Sequence, residues 1–263
     1  MSHSLYQVDA FTDQPFKGNP AGVCLLADEK SEGWMQSLAA EMNLSETAFL
    51  LPEGEGWRLR WFTPLTEVDL CGHATLASAR VLFEIHPELR EEVVQFETRS
   101  GKLLARWVEG RVELDFPAMR FDPLTVNARL PEILGFYPID AVFSGNYYLF
   151  EAADEALIRQ AQPQIAALKA LPMPEVIITA KSADDNYDFV SRFFAPQLGV
   201  DEDPVTGSAH CLLAPYWAKK LGKQAFTAFQ ASQRGGILYL RLVEDRVRIA
   251  GDTVIIFVAE LMV

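Results

Sequence analysis

The fold is decided by the stretch Val200-Asp201-Glu202-Asp203-Pro204-Val205-Thr206-Gly207-Ser208-Ala209-His210-Cys211. An earlier stretch, Val68-Asp69-Leu70-Cys71-Gly72-His73-Ala74-Thr75, has the same pattern. In both, an acidic turn leads through glycine, a small or polar residue and alanine into an apolar helical pattern. We interpret them as two loop-to-helix corners that face each other across one cleft.

The sequence around the two corners repeats. Gly72 and Gly207 are 135 positions apart, and Val108–Leu114 matches Val243–Ile249 at the same spacing. A constant spacing over about forty positions indicates a duplicated unit. The alternative is two unrelated stretches that share common strand and turn residues.

The composition describes a globular chain and excludes several classes of partner. Of its 263 residues, 49% are hydrophobic and 22% charged, and the formal net charge is −13. Nucleic-acid binding needs clustered Lys and Arg, which the sequence lacks. No apolar run approaches the roughly 18 residues of a membrane span. We therefore expect neither a nucleic acid nor a membrane as partner.

The cysteines and histidines also narrow the options. Three cysteines without a CxxC motif fit reduced thiols, and four histidines lack the spacing of a structural zinc site. The first residues, Met1-Ser2-His3-Ser4, have neither the basic nor the apolar region of a signal peptide. We expect a cytoplasmic protein with no metal site.

The order of predicted strands and helices indicates an α+β fold of two pseudo-symmetric halves. Each half is expected to wrap a curved, mostly antiparallel sheet around a central helix that begins at its corner. The predicted central helices are His73–Glu84 and His210–Leu221. Because residues 117–140 are rich in proline and turn residues, we place the halves at 1–117 and 118–263. The last strand is a candidate to cross back and complete the first half.

One further long helix is predicted in the second half. Asp154 to Leu171 is amphipathic, and Asp154 is a plausible N-cap residue. In the first half, residues 43–47, which include Glu46, have the composition of an exit turn that leads into the apolar strand Ala48–Leu51.

The corners predict a site for a small anion. A helix N-terminus offers unpaired N–H groups and the positive end of the helix dipole. Glycine lets a ligand approach the backbone closely. Two such ends aimed at one cleft would suit a carboxylate.

The residues that differ between the two copies of the repeat are the candidates for catalysis. Glu46 has the apolar Ile178 as counterpart; beside apolar strands its pKa would rise, which suits proton transfer. The alternative is a solvated turn carboxylate or a capping residue. His73, just inside a helix N-terminus, would favour the neutral imidazole and exchange protons, or it is simply a hydrogen-bonded histidine lining the interface.

Two residues of the second corner are candidates for binding. Asp203, aligned with Val68, could orient a substrate amine or hydroxyl group, or only cap the helix. Ser208, aligned with His73, could bind a carboxylate, or likewise act only as a cap. His210 and Cys211 lie deeper and are expected to serve packing.

Cys71 raises a separate hypothesis. Two cysteines flanking one cleft would suit a racemase in which one thiolate removes a proton and the other thiol delivers one. At the place that matches Cys71 stands Thr206, and threonine is no base at neutral pH. This weakens a two-thiol racemase.

The sequence resembles the PhzF-like (phenazine biosynthesis-like) family, within the wider diaminopimelate epimerase-like fold. The resemblance covers nearly the whole chain and rests on these motifs: Val8-Asp9-Ala10-Phe11-Thr12, Gly18-Asn19-Pro20-Ala21-Gly22, Asn43-Leu44-Ser45-Glu46-Thr47-Ala48-Phe49, Cys71-Gly72-His73-Ala74-Thr75 and Glu202-Asp203-Pro204-Val205-Thr206-Gly207-Ser208-Ala209. The motifs are specific for the family and much less specific for a substrate.

The resemblance implies a function and a set of roles. The founding member isomerises 2,3-dihydro-3-hydroxyanthranilate without a cofactor, and homodimers are usual in the family. By resemblance, the residue that moves a proton between two carbons is Glu46, and the residues that hold the substrate and relay protons are His73, Asp203 and Ser208. The Gly72 and Gly207 corners would bind the substrate carboxylate. From the same motifs, Asn19 and Ser45 are expected to contact the substrate.

Three functions therefore remain in view. The first is a cofactor-independent isomerase of a small carboxylate-bearing molecule with Glu46 as acid and base. The second is a small-anion binder that lost the chemistry, although it would not need both Glu46 and His73. The third is a racemase or epimerase that uses Cys71.

Overall fold

The computed structural model describes residues 3–263. Met1 and Ser2, which begin the segment considered for a targeting signal, lie outside the described residues. The chain forms two compact units: the first comprises residues 3–116 together with Arg248–Val263, and the second comprises Pro117–Val247. Within residues 3–263, none of the helices has the length and apolar character needed to cross a membrane.

Strands dominate the secondary structure. The helices are α1 (Glu32–Met42), α2 (Gly72–Ile85), α3 (Leu130–Leu134), α4 (Glu155–Gln160), α5 (Ile165–Lys169) and α6 (His210–Leu221). The strands are β1 (His3–Ala10), β2 (Asn19–Leu25), β3 (Glu46–Glu53), β4 (Gly56–Phe62), β5 (Glu67–Val68), β6 (Val94–Thr98), β7 (Gly101–Val108), β8 (Arg111–Pro117), β9 (Asp122–Pro123), β10 (Asp140–Ser144), β11 (Tyr147–Glu151), β12 (Glu175–Lys181), β13 (Phe189–Ala195), β14 (Val200–Asp203), β15 (Ala225–Gln230), β16 (Gly236–Val243), β17 (Arg246–Gly251) and β18 (Thr253–Leu261).

The sheet of the first unit is mostly antiparallel. β1 lies antiparallel to both β2 and β18, so the end of the chain pairs with its beginning. β2 and β3 are parallel, β3 and β4 antiparallel, and β4 and β6 parallel. β6, β7 and β8 then form an antiparallel meander.

Helix α2 is the core of the first unit. Eleven of its residues are buried, from Gly72 to Ala79 and from Val81 to Phe83. A helix that is apolar all round can exist only if other elements enclose it, and α2 packs on β1, β2, β3 and β7. Its two buried hydroxyls are satisfied locally, because Thr75 donates to the Cys71 carbonyl at 2.6 Å and Ser78 to that of Ala74 at 2.7 Å.

Strand β3 shows why its sequence is a continuous apolar run. Successive side chains of a strand point to opposite faces of the sheet, yet Ala48, Phe49 and Leu50 are all buried. Both faces are covered, since α1 and α2 each pack on β3. Phe49 lies in the cluster around Met35 of α1.

The second unit has the same order of strand pairings as the first. β10 and β11 are antiparallel, β11 and β12 parallel, and β12 and β13 antiparallel. β13 is parallel to β15, which is antiparallel to β16. This agrees with what an internal repeat would produce, while a symmetry axis between the halves remains a prediction. The predicted α+β class is confirmed, and both predicted central helices are present.

Helix α6 tolerates a proline in its interior. Pro215 has no N–H to donate to the carbonyl of Cys211, four residues earlier. The backbone N–H of Met119 donates to that carbonyl instead, at 2.9 Å. The segment after β8 therefore replaces the missing helical hydrogen bond.

The long helix predicted over Asp154–Leu171 is wrong. Asp154 does cap a helix, accepting a hydrogen bond from the Leu157 N–H, but α4 ends at Gln160 and α5 begins only at Ile165. Pro163 lies between them, where a proline disfavours helical conformation in the residue before it. The apolar spacing continues through the break because both short helices contribute to one core cluster, with Ile158 and Leu168.

A polar network ties α6 to the β10–β11 hairpin. Lys220 Nζ donates to Asp140 Oδ2 and Glu151 Oε2, each at 2.7 Å. Tyr216 Oη lies 2.5 Å from Glu151 Oε2 and 3.0 Å from Asp140 Oδ2. Burial raises the pKa of Asp140, but the hydrogen bonds from Lys220 and Tyr216 outweigh it and leave this pKa below its ordinary value.

This network predicts an acid-dependent stability. Because the folded-state pKa of Asp140 is lowered, its contribution is complete above the unfolded value of about 3.9 and is lost as pH falls further. Asp140→Asn should lower the free energy of unfolding by about 1 kcal/mol at pH 6, a modest value because the side chain is 38% exposed. Urea unfolding at pH 6 and pH 3 should show this difference shrinking. Asp185→Asn, on an exposed turn, is the matched control, and an equal Asp140→Asn effect at both pH values would contradict the account.

Candidate functional site

Glu46 and His73 are brought together in the first unit. The sequence predicts Glu46 in a turn, but Glu46 is the first residue of β3. His73 is the second residue of α2. Glu46 Oε2 lies 3.3 Å from His73 Nε2, and their side chains are 17% and 6% exposed. The packing of α2 on β3 creates this pair.

The pair is close but not aligned as a hydrogen bond. The distance of 3.3 Å is within reach of a hydrogen bond, but the angle is not favourable. The buried His73 Nε2 therefore has no hydrogen-bond partner within the described residues. Catalytic hydrogen bonds are often loose before a substrate binds. We therefore treat the contact as an electrostatic pairing that a small movement would convert into a hydrogen bond.

Cys71 lies on the other side of the same imidazole. Its Sγ is 3.5 Å from His73 Nδ1, and Cys71 is the N-cap residue of α2. The imidazole thus stands between a thiol and a carboxylate, with one ring nitrogen towards each.

These three groups also test whether a metal ion would fit. One ligand atom from each of Glu46, Cys71 and His73 can be chosen so that all lie within 4.8 Å of one another. The carboxylate, however, faces Nε2 and the thiol faces Nδ1. One ion binds one nitrogen of a given imidazole, so the ring would have to turn before all three could hold the same ion. The geometry favours a chain of proton-sharing groups.

Asn19 and Ser45 form a second contact beside this group. Asn19 is fully buried at the start of β2. Ser45 directly precedes Glu46, and its Oγ donates to Asn19 Oδ1 over 3.4 Å. The amide of Asn19 and the hydroxyl of Ser45 are therefore held next to the start of β3, where Glu46 is the first residue.

The two predicted corners differ in their backbone. Gly72 is the first residue of α2. Gly207 instead lies in a turn, and α6 begins only at His210 with Ala209 as its N-cap. The turn is closed by hydrogen bonds from the N–H groups of His210 and Cys211 to the carbonyls of Gly207 and Ser208, each at 3.0 Å. Ser208 therefore lies in the turn that precedes α6, two residues before its first helical residue.

Asp203 belongs to a buried network in the second unit. It is the last residue of β14, and its Oδ2 accepts a hydrogen bond from Thr206 Oγ1 at 2.5 Å. Ala209 is the N-cap residue of α6 and makes no side-chain cap hydrogen bond.

Gln230 is a structural support that the sequence reasoning missed. It is fully buried at the end of β15. Its Oε1 accepts from the Thr206 N–H at 2.9 Å, and its Nε2 donates to the Asp203 carbonyl at 2.8 Å and to Thr206 Oγ1 at 3.2 Å. A lone glutamine at a strand end carries no signal of this role, since its partners lie over twenty residues earlier.

Ser208 has a tyrosine neighbour. The side chains of Ser208 and Glu175 are close enough to Tyr147 to influence its pKa, and Tyr147 and Glu175 are paired in register on the parallel strands β11 and β12. Burial, followed by the nearby charge of Glu175, raises the pKa of Tyr147 above its ordinary value. Burial also raises the pKa of Glu175.

His210 is a packing residue, as its position suggested. It is fully buried, stacks on Phe189, and its Nδ1 lies 2.8 Å from the Thr206 carbonyl. Burial lowers its pKa to about 4. The ring is therefore neutral at pH 7, and Nδ1 is the nitrogen that donates to the carbonyl.

The predicted residues thus form two local groups. In the first unit the structure assembles Glu46, His73 and Cys71, with Asn19, Ser45 and Gly72. The second unit holds Asp203, Gly207 and Ser208. That both groups bind one ligand remains a prediction.

Gly18 fixes the backbone that leads into Asn19. Its φ is +65°, and an added Cβ would collide with the carbonyl oxygen of Ala10. Gly54 has a similar φ of +59°, with open space around it. The two positions share the backbone cost of a side chain and differ in the collision.

We expect Gly18→Ala to destabilise the protein more than Gly54→Ala. The control should lose about 1 kcal/mol from its left-handed conformation, and Gly18→Ala about 2 kcal/mol more because a backbone carbonyl must move. Denaturant unfolding of both variants measures the difference. Equal losses would show that the β1–β2 connection adapts freely.

Comparisons with known proteins point to one family. The sequence model of the family described as phenazine biosynthesis-like protein matches residues 8–259. A protein of Pseudomonas aeruginosa named as an uncharacterized isomerase is 50% identical over 256 residues, covering 97% of each chain. A similarly named protein of Halalkalibacterium halodurans is 47% identical over 265 residues, covering 100% of this chain and 99% of the relative.

A solved structure agrees with the sequence relatives. The crystal structure of a PhzF-family phenazine biosynthesis protein from Enterococcus faecalis superposes with a TM-score of 0.95 at 43% identity, covering 100% of both chains. Because both sequence relatives are named isomerases, general isomerase activity is supported, and these names give no substrate.

Proposed function

Since the chain belongs to the phenazine biosynthesis-like (PhzF-like) family, we propose that it is a cofactor-independent isomerase that moves a proton within a small carboxylate-bearing substrate. Glu46 is the group that carries the proton. The observation that supports this most directly is the Glu46–His73 pair, a partly buried carboxylate 3.3 Å from an imidazole at a helix N-terminus.

The proposed reaction needs one group that acts as base and then as acid. The Glu46 carboxylate removes a proton from a substrate carbon, so that a C–H bond breaks and an O–H bond forms. The resulting carboxylic acid then delivers this proton to another carbon of the same molecule. No electrons enter or leave, and Glu46 ends as the carboxylate from which it began. A positioned acid–base group of this kind contributes about 10²–10⁴-fold to a rate.

His73 would hold the carboxylate in place. Its ring is fixed at the start of α2, whose buried sequence leaves the helix little freedom to move. A charged imidazole or an N–H donor stabilises a neighbouring carboxylate. We assign to His73 the role of orienting Glu46.

The substrate carboxylate would bind at the corners. Gly72 begins α2, where the helix dipole attracts negative charge and the missing side chain permits close approach. We propose the same role for the turn at Gly207, with Ser208 beside it. Asn19 and Ser45 would contact the substrate next to Glu46. Asp203, held by Thr206, would orient a substrate amine or hydroxyl group.

A two-base racemase is the weaker candidate. Its second base would have to come from the position of Thr206. Thr206 Oγ1 already donates to Asp203 Oδ2 and accepts from Gln230 Nε2. A hydroxyl engaged in this way has a structural task and is a poor proton acceptor.

The proposal predicts that proton transfer depends on Glu46. The purified protein is incubated in D2O with trans-2,3-dihydro-3-hydroxyanthranilate and a panel of small amino and hydroxy acids, and loss of C–H signals is followed by NMR. With a compound that the wild type exchanges, Glu46→Gln should slow exchange about 10²–10⁴-fold because the amide cannot accept the proton, while ligand binding largely persists.

Two controls make this test specific. Glu53→Gln removes the same charge from the exposed end of the same strand and should exchange like the wild type. Cys71→Ser separates the racemase, which would lose exchange because a serine hydroxyl is no base at neutral pH, whereas the isomerase should retain it. Exchange by Glu46→Gln at the wild-type rate would rule out the proposed mechanism, and ligand binding without exchange in the wild type would favour the anion binder.

The assembly and location proposals follow from the family resemblance and the composition. We propose a homodimer in the cytoplasm, with a small carboxylate-bearing substrate as the ligand.

A further inference from the structure

The thiol of Cys71 is directed at His73 and not at the helix that it precedes. N-cap side chains ordinarily accept hydrogen bonds from the first N–H groups of the helix. The Cys71 side chain makes no such bond, and its Sγ lies 3.5 Å from His73 Nδ1. The residue is only 7% exposed. This contact is independent of the Glu46 contact, which involves the other ring nitrogen.

The two contacts together select one tautomer of the neutral imidazole. In that form one nitrogen carries the hydrogen and the other accepts. If Nδ1 carried it, the lone pair of Nε2 would face the Glu46 carboxylate at 3.3 Å, and the hydrogen would point at sulfur, a weak acceptor. With the hydrogen on Nε2, the positive end of the N–H is on the side of the carboxylate, 3.3 Å away between nitrogen and oxygen. This attraction becomes a charge-assisted hydrogen bond after the small movement described above.

The thiol completes this arrangement as a donor. Burial disfavours the charged form of a sulfur, and the thiol form of Cys71 supplies an S–H group beside the ring. The S–H donates to Nδ1, and Nε2–H is on the side of Glu46. In this order the hydrogen of each group is on the side of an acceptor.

We propose that Cys71 is a positioning residue whose thiol donates to His73 Nδ1 and holds the imidazole in the Nε2–H tautomer, with its N–H on the side of Glu46. The consequence of this tautomer for catalysis rests on the proposed function. When Glu46 has taken the substrate proton, Nε2 already carries a hydrogen and has no lone pair with which to take that proton. Glu46 therefore keeps the proton and returns it to the substrate, while Cys71 and His73 retain their own hydrogens.

The tautomer can be measured without any substrate. Full-length protein labelled with ¹⁵N in its histidines gives two- and three-bond imidazole correlation spectra that distinguish Nδ1–H from Nε2–H. The chain contains only four histidines, and His73→Gln assigns the signal of interest. At pH 8 we expect Nε2–H for His73 in the wild type.

Two variants and an internal control define the role of the thiol. Cys71→Ser supplies a hydroxyl donor and should keep Nε2–H, whereas Cys71→Ala removes the donor and should let the Nδ1–H tautomer appear. His210, whose Nδ1 faces the Thr206 carbonyl, should show Nδ1–H in every spectrum. His210 reports on the second unit. In the first unit His3 Nδ1 accepts from the Ala27 N–H at 3.2 Å, so an unchanged Nε2–H signal of His3 reports that the first unit of each variant is folded.

Several outcomes would overturn the proposal. An Nδ1–H tautomer of His73 in the wild type would do so directly, and so would an unchanged tautomer in folded Cys71→Ala. If the alanine variant does not fold, the wild-type and Cys71→Ser spectra decide, because both must show Nε2–H. Since no turnover is measured, this result is independent of whether Glu46 proves to be the acid–base group.

Discussion

The enclosure of helix α2 is the constraint on which the first unit depends. Its sequence has almost no polar face, so the helix is stable only where strands surround it. Each fully buried aliphatic or aromatic side chain contributes about 1.5–3 kcal/mol, and α2 supplies Leu76, Val81, Leu82 and Phe83. The curved sheet can close around it because alanines and glycine occupy much of the remaining surface.

The same enclosure determines the chemistry at the start of the helix. His73 cannot move without moving α2, and Glu46 opens a strand against which α2 packs. A carboxylate, an imidazole and a thiol are thereby held within 3.5 Å of their neighbours by core packing and not by a flexible loop. Precise placement of reacting groups is where binding geometry contributes most to catalysis.

The second unit reaches a related arrangement by different means. Its helix α6 contains Pro215 and obtains a replacement hydrogen bond from Met119, and its polar network anchors the helix to a hairpin through Lys220. Its corner is a turn supported by Gln230, whereas the first corner is the helix start itself. Equal strand order therefore does not give equal corners: Gly72 opens its helix, whereas Gly207 lies in a turn before α6.

The sequence by itself determined the α+β class, both central helices and the family, because hydrophobic spacing, turn residues and long motifs are local and additive along the chain. The sequence pattern did not reveal the break at Pro163, because two short helices that share one core preserve the helical spacing of apolar residues. Only the tertiary structure decided that Glu46 meets His73 Nε2, that Cys71 takes Nδ1 and that Gln230 supports Thr206. Glu46 and His73 lie 27 residues apart and Thr206 and Gln230 lie 24 apart, whereas Cys71 and His73 are two residues apart at the start of α2. The contacts across the longer separations follow from how strands and helices pack, which no local pattern records.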